Sequence, residues 1–124
     1  MGCVQPYSLH QGEARQPTIT VFKPNGKIQN LTGAVIEFQV KPNPGDPDSE
    51  LLVSKASPLG ILILDQTVGG DTEGQCNIVL SPNDTKDIPG GVYTYDVVVI
   101  LPGFDRSYVI NPSPFTIVSV VNQA

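Results

Sequence analysis

An alternation of side chains from Gly91 to Leu101 constrains the fold more than any other feature of the sequence. Every second residue from Tyr93 onward is aromatic or aliphatic, whereas the residues between them are of mixed character. Successive side chains of a β-strand point to opposite faces of the sheet. The pattern therefore predicts a long central strand with one face in a core formed by Tyr93, Tyr95, Val97, Val99 and Leu101.

The residues before this strand predict a short crossing between two sheets. Ser81 to Asp87 contains a capping serine, a proline and acidic residues, which are typical of one helical turn, near residues 82–87. A crossing of this kind followed by Gly91 and Tyr93 resembles the corner of immunoglobulin-like sandwiches, where a tyrosine hydroxyl binds the corner backbone. Tyr93 is the candidate for that structural role, and the alternative is a core tyrosine with its hydroxyl at the rim.

Composition favours an all-β protein. The chain has 124 residues, with 12 Gly, 12 Pro and 7 Lys plus Arg, which leaves little room for long helices. We predict an antiparallel, immunoglobulin-like β-sandwich of about seven to nine short strands. Other segments alternate in the same way, and their apolar faces should meet in one core: Ala34, Ile36, Phe38 and Val40; and Cys76, Ile78 and Leu80.

Charge and hydropathy disfavour several classes of partner. The formal net charge is −5 and the sequence has no basic cluster, which argues against nucleic acid and anionic membranes. No apolar run approaches the length of a membrane-spanning helix, and the start of the chain lacks the pattern of a secretory signal. We expect the protein to be made in a cytoplasm and to stay out of the membrane.

Two domain regions are predicted, an N-terminal arm over residues 1–17 and a sandwich over residues 18–124. The arm shows no periodicity, and its isolated apolar residues Val4, Tyr7 and Leu9 cannot offset the entropy of ordering it. We therefore expect the arm to be extended or docked on a partner, and these three residues to contact a neighbouring subunit. A second interaction site is expected at Leu62 and Leu64, because residues 61–64 are apolar on both sides of a short strand. Such a strand is either sandwiched or an edge that a partner chain covers.

No catalytic, cofactor or metal site is predicted. The one histidine, His10, lies in the predicted arm, where it could not be held as a base. The acidic turn from Asp65 to Glu73 could converge on a hard cation, although its spacing matches no calcium loop and acidic turns are commonly solvated. Cys3 and Cys76 are expected to be free thiols, since one lies in the arm and the other on an apolar strand face.

The order of these signals resembles the immunoglobulin-like domain at the N-terminus of baseplate upper proteins and related tail components of tailed phages. The residues that carry the resemblance are Asn30 to Val40, Gly60-Ile61, Gly74 to Leu80, and Asp84 to Val97. They include a Leu-Thr-Gly start of the second strand at Leu31 and a Gly-x-Tyr-x-Tyr-Asp strand at Gly91, within a match spanning about residues 18 to 121.

The resemblance implies a non-enzymatic virion protein that binds other virion proteins, associates with itself in the particle and is made in the host bacterial cytoplasm. A tail, baseplate or fibre-attachment subunit is the first expectation, and a capsid decoration protein is the alternative. A bacterial surface or carbohydrate-binding sandwich is a further alternative, which an export signal or clustered exposed aromatic residues would favour.

Overall fold

The computed structural model describes residues 5–23, 25–42, 52–57, 59–103 and 106–119. The described part contains eight strands and one short helix. The strands are β1 (Tyr7–His10), β2 (Thr18–Thr20), β3 (Val35–Lys41), β4 (Val53–Ala56), β5 (Ile61–Ile63), β6 (Gln75–Ile78), β7 (Gly91–Ile100) and β8 (Arg106–Val118), and helix α1 (Pro82–Thr85) joins β6 to β7.

Two sheets pack into a sandwich. One has five strands in the order β1-β8-β7-β3-β4, and the other has three in the order β2-β6-β5. If β2 is taken as strand B, the strands β8-β7-β3-β4 correspond to G-F-C-C′ and β2-β6-β5 to B-E-D of an immunoglobulin-type sandwich, and β1 is added beside strand G. The all-β sandwich prediction is confirmed. One pairing departs from the antiparallel prediction, because β1 runs parallel to β8.

The core lies between the sheets, where the predicted faces meet. Ile36, Phe38 and Val40 are at most 2% exposed, and Tyr95, Val97 and Val99 lie opposite them in the same buried cluster. The cluster also contains the predicted face from β6: Cys76, Ile78 and Leu80. Tyr93 is only partly buried and packs against the edge of this core.

An aromatic cluster occupies one part of the core. The rings of Phe38, Tyr95 and Phe115 lie 5.5 to 6.0 Å apart between centroids, at inclined angles. Tyr7 joins them from β1, with its ring stacked 5.9 Å from that of Phe115. Inclined and offset aromatic pairs at these separations are favourable because ring edges and faces carry opposite partial charge. The cluster therefore links β1, β3, β7 and β8.

Helix α1 confirms the predicted helical turn. It begins at Pro82, directly after the capping residue Ser81. The N–H of Ser81 donates to Oδ2 of Asp84 over 2.7 Å, and the N–H of Asp84 donates back to the carbonyl of Ser81 over 3.0 Å. Asp84 also pairs with Nζ of Lys55 at 3.0 Å, which ties the turn to β4. Thr85 is fully buried beneath the turn.

The last strand differs from its prediction. The prolines near residue 112 predict a break between two strands, yet β8 runs without interruption from Arg106 to Val118. The register of its pairing with β7 shifts between Tyr95 and Val97, and Pro112 lies at this irregularity, between Ile110 and Ser113. Proline is tolerated at such bulges because the ladder needs no donor there. The prediction of a break is therefore wrong.

Val98 is buried on the outer face of the five-stranded sheet, where the alternation predicts a mixed surface. It is 2% exposed and lies between Glu37 of β3 and Tyr108 of β8. Nη1 of Arg106 meets Oε1 of Glu37 at 3.0 Å, so an ion pair bridges the strands on either side of Val98. Long charged side chains cover apolar surface in this way while their head groups remain in water.

The prediction of an N-terminal arm is wrong for the described residues 5–17. Tyr7–His10 pairs with Phe115–Val118, and Leu9 is 2% exposed in the core. The entropy cost of ordering this segment is offset by contacts with β8 of the same chain, more than one hundred residues away. Val4 lies outside the described residues.

Candidate interaction surfaces

The first candidate surface is the edge of the three-stranded sheet at β5. In the described part, β5 pairs with β6 on one side and with no strand on the other. Its middle residue Leu62 is 47% exposed, whereas Ile61 before it is fully buried. Of the two predicted alternatives, the structure shows the edge. Such an edge offers unpaired backbone groups and an apolar side chain to another chain.

The surroundings of Leu62 extend this apolar edge. Val35 of β3 is 38% exposed, and both residues line a shallow cleft of about 410 Å³. Leu59, at the start of the segment that leads into β5, is 81% exposed. Leu64 is partly buried, and its N–H donates to the carbonyl of Gln75 over 3.1 Å. Of the two predicted interaction residues, Leu62 is thus accessible, whereas Leu64 is tied to the sheet.

A second cleft lies on the opposite side of the sandwich. It has a volume of about 420 Å³ and is lined by Thr18 and Thr20 of β2, by Val99 of β7 and by residues 107–110 of β8. The cleft forms because the three-stranded sheet covers only part of the five-stranded sheet. In addition, β1 pairs with β8 only along Phe115–Val118, which leaves the first half of β8 without a described strand on that side. The sequence could not predict it, since its position depends on the register of β1.

The predicted docking residues Tyr7 and Leu9 face the interior of their own sandwich. Leu9 belongs to the core cluster, and Tyr7 packs against it. Burial raises the pKa of the Tyr7 hydroxyl, and the nearby Arg15 partly opposes this effect. These two side chains are therefore covered by the sandwich of their own chain, beside β8.

Tyr93 makes the predicted structural contact. Its hydroxyl donates to the carbonyl of Pro89 over 2.6 Å, four residues upstream in the corner. This hydrogen bond fixes the conformation of the segment that connects helix α1 to β7. Tyr93 thus has the role of a corner tyrosine.

Asp65 and Glu73 of the acidic turn accept hydrogen bonds from neighbouring protein groups. Asp65 accepts hydrogen bonds from the hydroxyl and N–H of Thr67, and these bonds lower the pKa of its carboxyl. Glu73 accepts from the side chain of Asn30 and the N–H of Gly69, which lower its pKa. Across the described ranges, no group of three or more His, Cys, Asp or Glu side chains is placed to hold a metal ion.

Cys76 and His10 occupy contrasting positions. Cys76 is a free thiol with no exposed surface, and burial raises its pKa to about 11. His10 ends β1 at the surface, where its Nδ1 lies 3.5 Å from Oε1 of Glu13. Cys3 lies outside the described residues. The thiol and the imidazole are thus on different sheets.

No protein-family model matches the chain, and no curated protein matches it either. Within the residues that the structure describes, no helix has the length and apolar character needed to cross a membrane.

Proposed function

We propose that this chain is a non-enzymatic structural protein of a phage virion and that it serves as a tail, baseplate or fibre-attachment subunit. The observation that carries the proposal is the apolar edge at β5, where Leu62 and Val35 are exposed side by side. An unpaired edge strand with an apolar side chain is a surface that another protein chain can extend. The order of sequence signals that resembles tail proteins supports the same assignment.

The contacts at this edge are expected to be with other virion proteins, including copies of the same chain. Isolated proteins usually protect such edges with charged residues, proline or bulges, because unpaired strands promote association. Of the residues from Ile61 to Leu64, none carries a charge. The edge is therefore suited to being covered in an assembly.

The composition of purified particles tests the proposal. Phage particles from lysates of the host should be separated into heads and tails, and their proteins identified by mass spectrometry. We expect the chain in the tail fraction at a fixed ratio to other tail proteins. Detection in heads alone would replace the tail assignment with a decoration role, and absence from both fractions would refute the virion proposal.

A pair of variants tests the β5 edge within that proposal. Leu62→Glu places a charge on the edge, whereas Val68→Glu places the same charge on the acidic turn, where the native side chain is 83% exposed. Both variants should remain folded by circular dichroism. We expect only Leu62→Glu to reduce incorporation into particles, by about tenfold or more, because a buried unpaired charge disfavours an interface strongly. Equal incorporation of both variants would exclude the β5 edge.

A further inference from the structure

The N-terminal segment is attached to the sandwich by partners that are distant in the sequence. Hydrogen bonds outside the β1–β8 ladder link residues 5–12 to the second half of the chain: Gln5 N–H to Ser113 Oγ, Tyr95 hydroxyl to Gln5 carbonyl, Gln11 N–H to Val118 carbonyl, Gln11 Nε2 to Ile88 carbonyl, and Gly12 N–H to Thr85 Oγ1. The ladder of β1 on β8 adds four residue pairs. All these partners lie between Thr85 and Val118.

The connection between β1 and β2 comprises residues 11–17, and in this structure it is tied to its own sandwich. Arg15 exchanges two backbone hydrogen bonds with Leu80, over 2.9 and 2.7 Å, and the carbonyl of Pro17 accepts from the N–H of Ile78 over 3.0 Å. If the two Arg15 bonds open, the residues from 11 to 16 can span at most about 20 to 22 Å in an extended chain. A copy whose β2 remains in its own sandwich can then place its β1 on a neighbouring sandwich whose β8 edge lies within that distance, at the cost of those two bonds.

We propose that β1 is exchanged between copies of this chain, so that Tyr7–His10 of one copy pairs with Phe115–Val118 of the next. Every copy presents the same acceptor, with the edge of β8, the ring of Phe115 and the pocket for Leu9. The exchanged strand makes the contacts that it makes in the closed chain, so the exchange itself sacrifices no contact of β1. This inference rests on the proposed function, because it supplies a mode of self-association in a particle.

Concentration decides between the closed and the exchanged form. A short tether holds its own segment at an effective concentration on the order of millimolar, so dilute copies remain closed. Subunits packed side by side in a particle reach comparable local concentrations. Exchange is thus expected where copies are crowded, and the closed form in dilute solution.

Cross-linking of mixed variants tests the exchange. Ser8 and Thr116 are partners in the register of β1 and β8, on the face away from Leu9. One chain carries Ser8→Cys, a second chain of different mass carries Thr116→Cys, and both carry Cys3→Ser. The two are mixed in urea, refolded together at about 1 mM or diluted a thousandfold, and treated with a short thiol cross-linker. We expect abundant heterodimers linked through residues 8 and 116 at the high concentration and few after dilution.

Two controls define the outcome. A single chain with both substitutions should cross-link within itself, which verifies that the two positions are adjacent. A mixture of the Ser8→Cys chain with a Val68→Cys chain reports random collision, since Val68 is 83% exposed on the turn between β5 and β6 and does not lie beside β8. Heterodimers no more abundant than in this mixture would overturn the exchange. If the chain is found in particles without exchange, the proposed function stands and this inference fails.

Discussion

At the scale of single residues, the side chain of Gln66 organises the turn that follows β5. Its Oε1 accepts from the N–H groups of Leu31 and Gly74, over 2.8 and 2.9 Å. Its Nε2 donates to the carbonyl of Leu64 over 2.9 Å. One amide thus satisfies backbone groups from three segments that would otherwise lack partners at the end of the sandwich.

We predict that Gln66→Leu destabilises the protein by about 1–3 kcal/mol, because it leaves partly buried backbone groups without their hydrogen bonds. Gln16→Leu is the matched control, since Gln16 is exposed between β1 and β2. Urea unfolding followed by circular dichroism measures both free energies of unfolding. Equal midpoints for the two variants would contradict a structural role for the Gln66 amide.

A second residue-scale prediction concerns Cys76, whose thiol pKa is raised by burial from 9.0 to about 11. At pH 8 this leaves a thiolate fraction of roughly 0.1% in the folded chain, against about 9% in the unfolded one. In a Cys3→Ser background, we expect a chromogenic disulfide reagent to label Cys76 at least tenfold more slowly in buffer than in urea. Similar rates would show that the β6 face opens readily.

The same shift predicts a dependence of stability on pH. Because the folded pKa is above the unfolded one, the contribution of the neutral thiol is complete below pH 9 and is lost as pH rises through 11. Cys76→Ala should therefore show a shallower loss of stability across this range than the parent. Parallel pH profiles of the melting temperature would contradict the linkage.

At the scale of elements, β1 is part of the folded domain. Leu9 is buried in the core, and the ring of Tyr7 stacks on that of Phe115. The edge of β8 accepts the strand in parallel register, so the chain crosses from one sheet to the other between β1 and β2. This crossing makes the N-terminal segment a structural element that can also be transferred to a neighbour.

We predict that Leu9→Ala lowers the free energy of unfolding by about 2–5 kcal/mol, the cost of deleting a leucine side chain from a packed core. Ser8→Ala is the control, because Ser8 is exposed on the other face of β1, and it should change stability by no more than about 0.5 kcal/mol. Thermal and urea unfolding of both variants provide the measurement. A Leu9→Ala variant as stable as the parent would mean that β1 contributes little to the fold.

At the scale of the whole molecule, the topology joins the two ends of the chain. β1 pairs with β8, and β2 pairs with β6, so most strands meet partners far away in sequence. Loop-closure entropy must be overcome before these contacts form, which slows folding. The sandwich can be completed only after the last strand is present.

We therefore predict refolding in milliseconds to seconds after dilution from urea, the range typical of sandwiches with non-local pairing. Stopped-flow tyrosine fluorescence reports the rate, because Tyr95 lies in the aromatic cluster. The double-substituted chain cross-linked between residues 8 and 116 should refold faster, since the link closes the longest loop before folding starts. Refolding in microseconds would contradict this account.

The sequence alone determined the parts of the fold that depend on local periodicity. The period of two in residues 34–40, 74–80 and 93–99 identified the buried faces of β3, β6 and β7, because a strand alternates its side chains wherever it pairs. The spacing from helix α1 to Tyr93 also identified the corner contact, since both partners lie within four residues. For Leu62 the local pattern left two alternatives, a sandwiched strand or an edge, and the order of the strands decides between them.

Only the tertiary structure decided which strands are neighbours, and the remaining features follow from that choice. Leu9 is buried because β8 accepts β1, and Val98 is buried because Glu37, Arg106 and Tyr108 lie on the strands beside it. Val35 of the five-stranded sheet lies beside Leu62 of the three-stranded sheet, because both line the same cleft. These pairings join residues that are remote in the chain, and their free energy depends on complementary surfaces that no local pattern encodes.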